Sequence, residues 1–235
     1  MNFHVAAGSV VGAHHRATWR NNQDGFAVVQ LDDVISACVC DGCGSSPHSE
    51  VGAKLAAEFI ARVFAHAPHR AGLGDTVALT AHTLTHRVAD TVLPFDDYPA
   101  IVRDYFLFTI LGFVITPTYT ILYGCGDGVF LFNDKRVQLA SKDNSPDYIT
   151  YNLIRHVLQR DPGPLDITVH RTIPSVDLKH IVIATDGAAA LPDLGAFMRP
   201  VYADNPSLLE KRLRGIALRE VPLDDDTTVV AAWRD

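Results

Sequence analysis

Five acidic segments, four of them each closing an apolar β-like run, are the residues of this chain that could do chemistry. They are Asn22-Gln23-Asp24, Cys40-Asp41-Gly42-Cys43-Gly44, Gly126-Asp127-Gly128, Thr185-Asp186-Gly187 and, just ahead of the last apolar run, Asp224-Asp225-Asp226. Neighbouring strands deliver their turn residues to one end of a sheet, so these carboxylates are expected to converge. Converged carboxylates repel one another, and burial raises that cost. A hard divalent cation with oxygen ligands, Mg²⁺ or Mn²⁺, resolves the conflict. Any single Asp-Gly is an ordinary turn; the ordered set points to a metal-dependent enzyme.

The elements that must position these turns are readable from apolar periodicity. Val5 to Val11, Gly25 to Leu31 and Val34 to Cys40 read as strands, the last apolar on both faces and therefore central. A helix follows, with Ser46 as N-cap, Pro47 in its first turn and Pro68 at its end. Its apolar stripe is Val51, Leu55, Phe59 and Val63, widened by Ala56, Ile60 and Phe64. A second helix runs from about Asp75 to Leu93, buried through Val77, Leu84, Val88 and Val92, and Asp96 to Asp104 connects. Phe106 to Ile115, Thr118 to Gly124, Val129 to Phe132 and Arg136 to Leu139 read as an antiparallel meander. A helix over Asp147 to Gln159, strands over Asp166 to Ile173 and His180 to Thr185, a helix over Ser207 to Arg219 and a strand over Thr227 to Trp233 complete the chain. Helices falling between groups of hairpins indicate an α+β fold, two stacked sheets covered outside by helices, in one domain over residues 1–235.

Bulk properties narrow the function. A net charge of −7 argues against nucleic-acid or anionic-membrane partners. The opening residues lack a basic, then apolar, leader pattern, and no apolar stretch is long enough for a membrane span. Cys38, Cys40 and Cys43 lie too close together for a disulfide framework, which suits a reduced, cytoplasmic chain; with Cys125 they could form a Cys₄ zinc site, but the spacing favours small buried thiols. His82 and His86 stand four apart on a helix, a spacing that can hold metal, and read as a solvated face. His14 and His15 either line the site or cap the opening strand.

In order and separation the motifs resemble the metal-dependent protein phosphatases of the protein phosphatase 2C type. The residues concerned are Gly12-Ala13-His14-His15, Asn22-Gln23-Asp24-Gly25-Phe26, Val39 to Ser45, Glu50 to Ala53, Thr109, Tyr123 to Gly128, Ile183 to Gly187 and Asp225 to Val230. The Gln-Asp first motif is similar to a bacterial branch. The resemblance implies a four-layer α-β-β-α sandwich with two mainly antiparallel sheets. It implies a serine/threonine phosphatase that hydrolyses phosphoesters with water activated by two metals, Mg²⁺ or Mn²⁺, with a third ion as an option. Asp41 would bridge both ions, the Gly42 carbonyl would bind the second, Asp186 and Asp225 would hold the first, Asp24 would act through water, and Asp127 would join Asp186 at a weaker third ion. Arg20 and Arg16 are candidates for the substrate phosphate. Cys43 stands where many eukaryotic members carry a general-acid His, for which His48, close in sequence, or a metal-bound water could substitute. Residues 141–172 would form a flap governing substrate choice. Partners would be phosphorylated proteins and a cognate kinase, the protein itself being a monomer. A non-catalytic, partner-binding relative and a metallohydrolase of small phosphoesters are the alternatives.

Overall fold

The computed structural model describes residues 3–67, 73–141, 145–163, 165–205, 207–219 and 222–234. Ten strands are described: β1 (His4–Val10), β2 (Gly25–Gln30), β3 (Ile35–Cys40), β4 (Ile110–Ile115), β5 (Tyr119–Cys125), β6 (Gly128–Phe132), β7 (Lys135–Leu139), β8 (Thr168–Pro174), β9 (His180–Ala184) and β10 (Thr227–Trp233). They form two five-stranded sheets, one ordered β1-β10-β9-β6-β7 and the other β2-β3-β4-β5-β8. Every pairing is antiparallel. The helices are α1 (Ala13–Ala17), α2 (Ser49–His66), α3 (Leu73–Val92), α4 (Tyr98–Tyr105), α5 (Tyr151–Ile154), α6 (Pro200–Asp204) and α7 (Ser207–Arg219).

β3, β4 and β10 are buried at every position because each is covered on both faces. Between the sheets, Val39, Leu111, Phe113, Phe130, Ile183 and Val230 interdigitate. Outside the second sheet, Ala53, Ala57, Ile60 and Phe64 of α2, with Val77 and Leu84 of α3, pack on Phe108, Val114 and Tyr123. Outside the first, Leu209, Leu213 and Ile216 of α7 pack with Leu191, Phe197 and Trp233. The α-β-β-α sandwich is thereby observed.

Several element expectations shift. The buried face of α2 is Gly52, Ala53, Ala56, Ala57, Ile60, Ala61 and Phe64, whereas Val51 and Leu55 are 40% and 60% exposed. Close approach decides this: a Cβ on Gly52 would come within 2.3 Å of the Tyr105 carbonyl oxygen, so small residues face inward, and Leu55 instead lines a cleft with Leu84 and Val88 of α3. The helix starts at Ser49, not Pro47, because Ser46 donates its hydroxyl to the Arg103 carbonyl and belongs to the preceding loop. Pro68, read as the helix end, lies outside the described residues. The connector after α3 contains the eight-residue α4. The strand expected from Phe106 begins only at Ile110, since Phe108 and Thr109 bridge instead to the Asp41-Gly42 turn. The helix expected over Asp147 to Gln159 is limited to α5 and one 3₁₀ turn, Arg155–Val157.

Register carries the acidic turns to one end. Gly25, following Asp24, pairs with Cys40, preceding Asp41. Ala184, two residues before Asp186, pairs with Val129 on one side and Val229 on the other. Asp127 sits in the turn between β5 and β6, and Asp225 and Asp226 lie just ahead of β10.

Candidate metal centre

Carboxylate oxygens of Asp41, Asp127 and Asp186 lie within 4.8 Å of one another. Asp41 is held from two sides: its N–H donates to Thr109 Oγ1 at 3.2 Å, and its carbonyl accepts the Thr109 N–H at 2.8 Å. Asp127 is buried, and its Oδ2 accepts the Ser141 hydroxyl at 2.6 Å. The residues flanking it, Gly126 and Gly128, have φ of +96° and +141°, which only glycine adopts without strain.

Asp24 is buried behind this group. Its Oδ2 accepts hydroxyls from Thr228 at 2.6 Å and Thr185 at 2.9 Å. Ser9 Oγ lies 2.7 Å from the Thr228 hydroxyl and accepts from Asn22 Nδ2, while Asn22 Oδ1 accepts the Asp24 N–H. A closed ring of hydrogen bonds therefore fixes the carboxylate.

The electrostatics agree with crowding. Burial is the main force raising Asp24 to about 8, opposed by the threonine hydroxyls and assisted by the charges of Asp226 and Asp225. Burial and the charges of Asp24 and Asp186 push Asp41 well above the carboxylate range. Asp186 is raised by burial and by Asp127 and Asp225, against the pull of its hydrogen bond with Asp41. Asp225 is exposed, yet its charge acts on Asp24, Asp41 and Asp186 alike, so it stands at the rim of the same cluster.

Asp226 is different. Its Oδ1 accepts the Gly12 N–H at 2.7 Å, and its Oδ2 pairs with His15 Nδ1 at 2.9 Å and accepts the Gln23 N–H at 2.6 Å. Although His15, Asp225 and Asp226 also present ligand atoms within 4.8 Å of one another, Asp226 is saturated by protein donors. It ties the α1 loop, the Gln23 turn and the start of β10 together, and His15 is a structural partner rather than a strand cap.

The donor set fits a hard divalent ion. It is all oxygen, and Asp24 Oδ1 and Asp186 Oδ1 are buried with no hydrogen-bond partner among the described residues. Such orphaned acceptors are what a cation or its water shell satisfies.

The other expected site residues lie around this cluster. The Arg20 guanidinium donates to the carbonyls of Gly44, at 2.6 Å, and Ser46, bracing the loop after Asp41-Gly42. Arg16 is exposed on α1. The His48 ring stacks on Tyr105 at 5.0 Å, and the His48 backbone N–H donates to the Asp104 carbonyl, which ties the residue to α4. Cys43 lies directly after Gly42; burial raises its thiol, but hydrogen bonds with Ser45, Tyr148 and Ser46 outweigh this and lower it. Of the cysteines read as a possible zinc set, Cys38 and Cys40 share one strand face with sulfurs 3.8 Å apart, and no cysteine joins either metal-competent group. Sequence reasoning missed the clasping roles of Thr185, Thr228, Ser141 and His15. A threonine beside each of two acidic turns was the visible signal for the first pair.

The family described as protein phosphatase 2C matches residues 11–214. No curated protein matches the chain. Among solved structures, the serine/threonine phosphatase Stp1 from Staphylococcus aureus superposes with TM-score 0.63 at 10% identity, covering 100% of this chain and 96% of that one. The catalytic domain of the serine/threonine protein phosphatase PstP, solved with two manganese ions, gives 0.60 at 16% identity and covers 99% of both chains. The S. agalactiae serine/threonine phosphatase gives 0.62 at 14% identity and covers both chains fully, 100% each. At these identities the structural likeness establishes the fold.

Proposed function

The chain belongs to the protein phosphatase 2C family, and from that premise we propose a phosphoserine/phosphothreonine protein phosphatase dependent on Mg²⁺ or Mn²⁺. The observation that carries this reading is the meeting of Asp41, Asp127 and Asp186 within 4.8 Å beside a buried, proton-hungry Asp24. Asp41, the Gly42 carbonyl, Asp186 and Asp225 would hold two ions, and Asp127 with Asp186 a third, weaker one. Bound ions would supply neutralisation of the phosphoryl oxygens and a more acidic water. PstP carries two manganese ions on the same fold, which supports that count.

The protein's own residues do the positioning. Thr185 and Thr228 hold Asp24 by one oxygen and leave Oδ1 without a partner among the described residues. Thr109 fixes the Asp41 turn, and Arg20 braces the loop that carries Gly42. Arg20, held by that brace, and Arg16, exposed on α1, would be the arginines to meet the substrate phosphate. Residues 141–172 would act as the flap that selects substrate: Ser141 touches Asp127, and Tyr148 packs in one cluster with Cys43. The substrate would be a phosphorylated protein, with a kinase as the opposing activity, in a reducing cytoplasm that suits four free cysteines. No described helix is long and apolar enough to cross a membrane.

The test is hydrolysis of a phosphothreonine peptide with and without Mn²⁺, beside Asp41→Asn. Activity that needs metal and vanishes in the variant is expected. Metal-independent activity, or activity undiminished in the variant, overturns the two-metal reading. Hydrolysis of small phosphoesters but of no phosphopeptide replaces the substrate class, and bound metal with no hydrolysis at all makes the chain a binding relative.

A further inference from the structure

We propose that His82 and His86 form a second metal site, for a borderline transition ion such as Zn²⁺, on the outer face of α3. The two residues lie one helical turn apart, so their side chains rise from the same row. In the folded protein their rings approach to 4.1 Å between centroids. Zn–N bonds of about 2.0–2.1 Å place two ligating nitrogens about 3.3 Å apart at a tetrahedral angle, a span that rings this close reach by side-chain rotation.

The pair is exposed at the edge of a cleft rather than on a flat surface. It lines a cleft of about 600 Å³ between α3 and the segment running from Ile149 to Asp166. Asp75 and Asp166 line the same cleft but do not form a three-ligand group with the pair, so water completes the shell until one of these carboxylates swings in. Asp166 uses Oδ1 on the Ile167 N–H and keeps its other oxygen outside that bond. Asn152, also in the cleft, donates to the Leu165 carbonyl and so joins α5 to the strand-side wall. Imidazole nitrogens select Zn²⁺, Ni²⁺ or Cu²⁺ over the Mg²⁺ that an all-oxygen centre prefers. The site is therefore chemically orthogonal to the acidic cluster.

Its position gives it a lever. The far wall holds Ile149, Asn152, Leu165 and Asp166, and Ile149 follows Tyr148, which packs in one cluster with Cys43 beside the Asp41-Gly42 turn. An ion on His82 and His86 that drew Asp166 inward would pin the far wall to α3.

The experiment is a calorimetric titration with Zn²⁺ of protein already saturated with Mg²⁺, comparing wild type with His82→Asn/His86→Asn. Both imidazoles are exposed, so the variant should fold and keep its Mg²⁺-supported hydrolysis. Wild type is expected to take up one more Zn²⁺ than the double variant, and each single variant to bind that ion about tenfold or more weakly. Zn²⁺ should raise the melting temperature of wild type beyond that of the double variant. Equal stoichiometry and affinity in wild type and double variant overturns the proposal, whichever way the phosphatase assay turns out.

Discussion

Replacing Asp24 with Asn should stabilise the metal-free protein and remove its activity. Asp24 ordinarily titrates at 3.8 but is raised to about 8 in the folded state, chiefly by burial. The folded chain thus keeps a proton that the unfolded chain gives up. The stability linked to that proton is full below pH about 4 and is lost as pH climbs toward 8. About four pH units at 1.36 kcal/mol each cap the effect at about 5–6 kcal/mol. Asp41 and Asp186 share the titration, so the protons belong to the cluster and the part removed by one substitution is smaller, about 2–4 kcal/mol. Urea unfolding in excess chelator is the assay. Wild type should lose stability between pH 5 and 8, Asp24→Asn should lose less, and the two curves should converge at low pH. Saturating Mn²⁺ should flatten the wild-type curve, because a cation does the neutralising that protons do in its absence. A chelated Asp24→Asn that is less stable than wild type at pH 8 would refute the idea that these carboxylates are held against their mutual repulsion.

Asp41→Asn should lower metal-dependent hydrolysis by several decades with an unchanged circular dichroism spectrum, measured on an aryl phosphate. Asp225→Asn should weaken Mn²⁺ binding by calorimetry while leaving chelated stability within about 0.5 kcal/mol, since Asp225 is exposed. Asp226→Asn should instead cost about 1–3 kcal/mol in urea unfolding with or without metal, because it unpairs His15, Gly12 or Gln23 in a buried setting. Gly187→Ala should destabilise by about 2 kcal/mol or more and impair metal uptake, since its Cβ would fall 2.1 Å from the Asp226 carbonyl oxygen.

The frame of the fold was legible wherever local pattern and tertiary environment agree. α7 and β10 occupy the residues their periodicity indicates, Ser207–Arg219 and Thr227–Trp233. Val77, Leu84, Val88 and Val92 are the buried side of α3, as spacing alone implies. Agreement fails where distance between layers outranks hydrophobicity. On α2 the larger apolar residues Val51 and Leu55 yield the inner face to glycine and alanine, because the helix rides close to the sheet and to the α4 end. It fails also where side chains capture backbone groups. Ser46 has the composition of an N-cap, but its hydroxyl serves the Arg103 carbonyl, and its carbonyl takes donors from Arg20 and Gln23.

The acidic site divides along the same line. That carboxylates would gather followed from strand ends and turn residues, which are local features. Which carboxylate does what did not follow, and the triplet Asp224-Asp225-Asp226 shows why. Three identical side chains in a row differ only in what surrounds them. Asp226 receives two backbone N–H groups and a histidine from segments about two hundred positions away. Asp225, one residue earlier, points outward with only the next N–H on its Oδ1 and remains available to a cation. The saturated aspartate fixes the loops, and the undersaturated ones at 24, 41, 186 and 225 keep oxygens open to a cation. A site of this kind needs both, because crowded carboxylates hold their places only if some neighbouring charge is spent on structure.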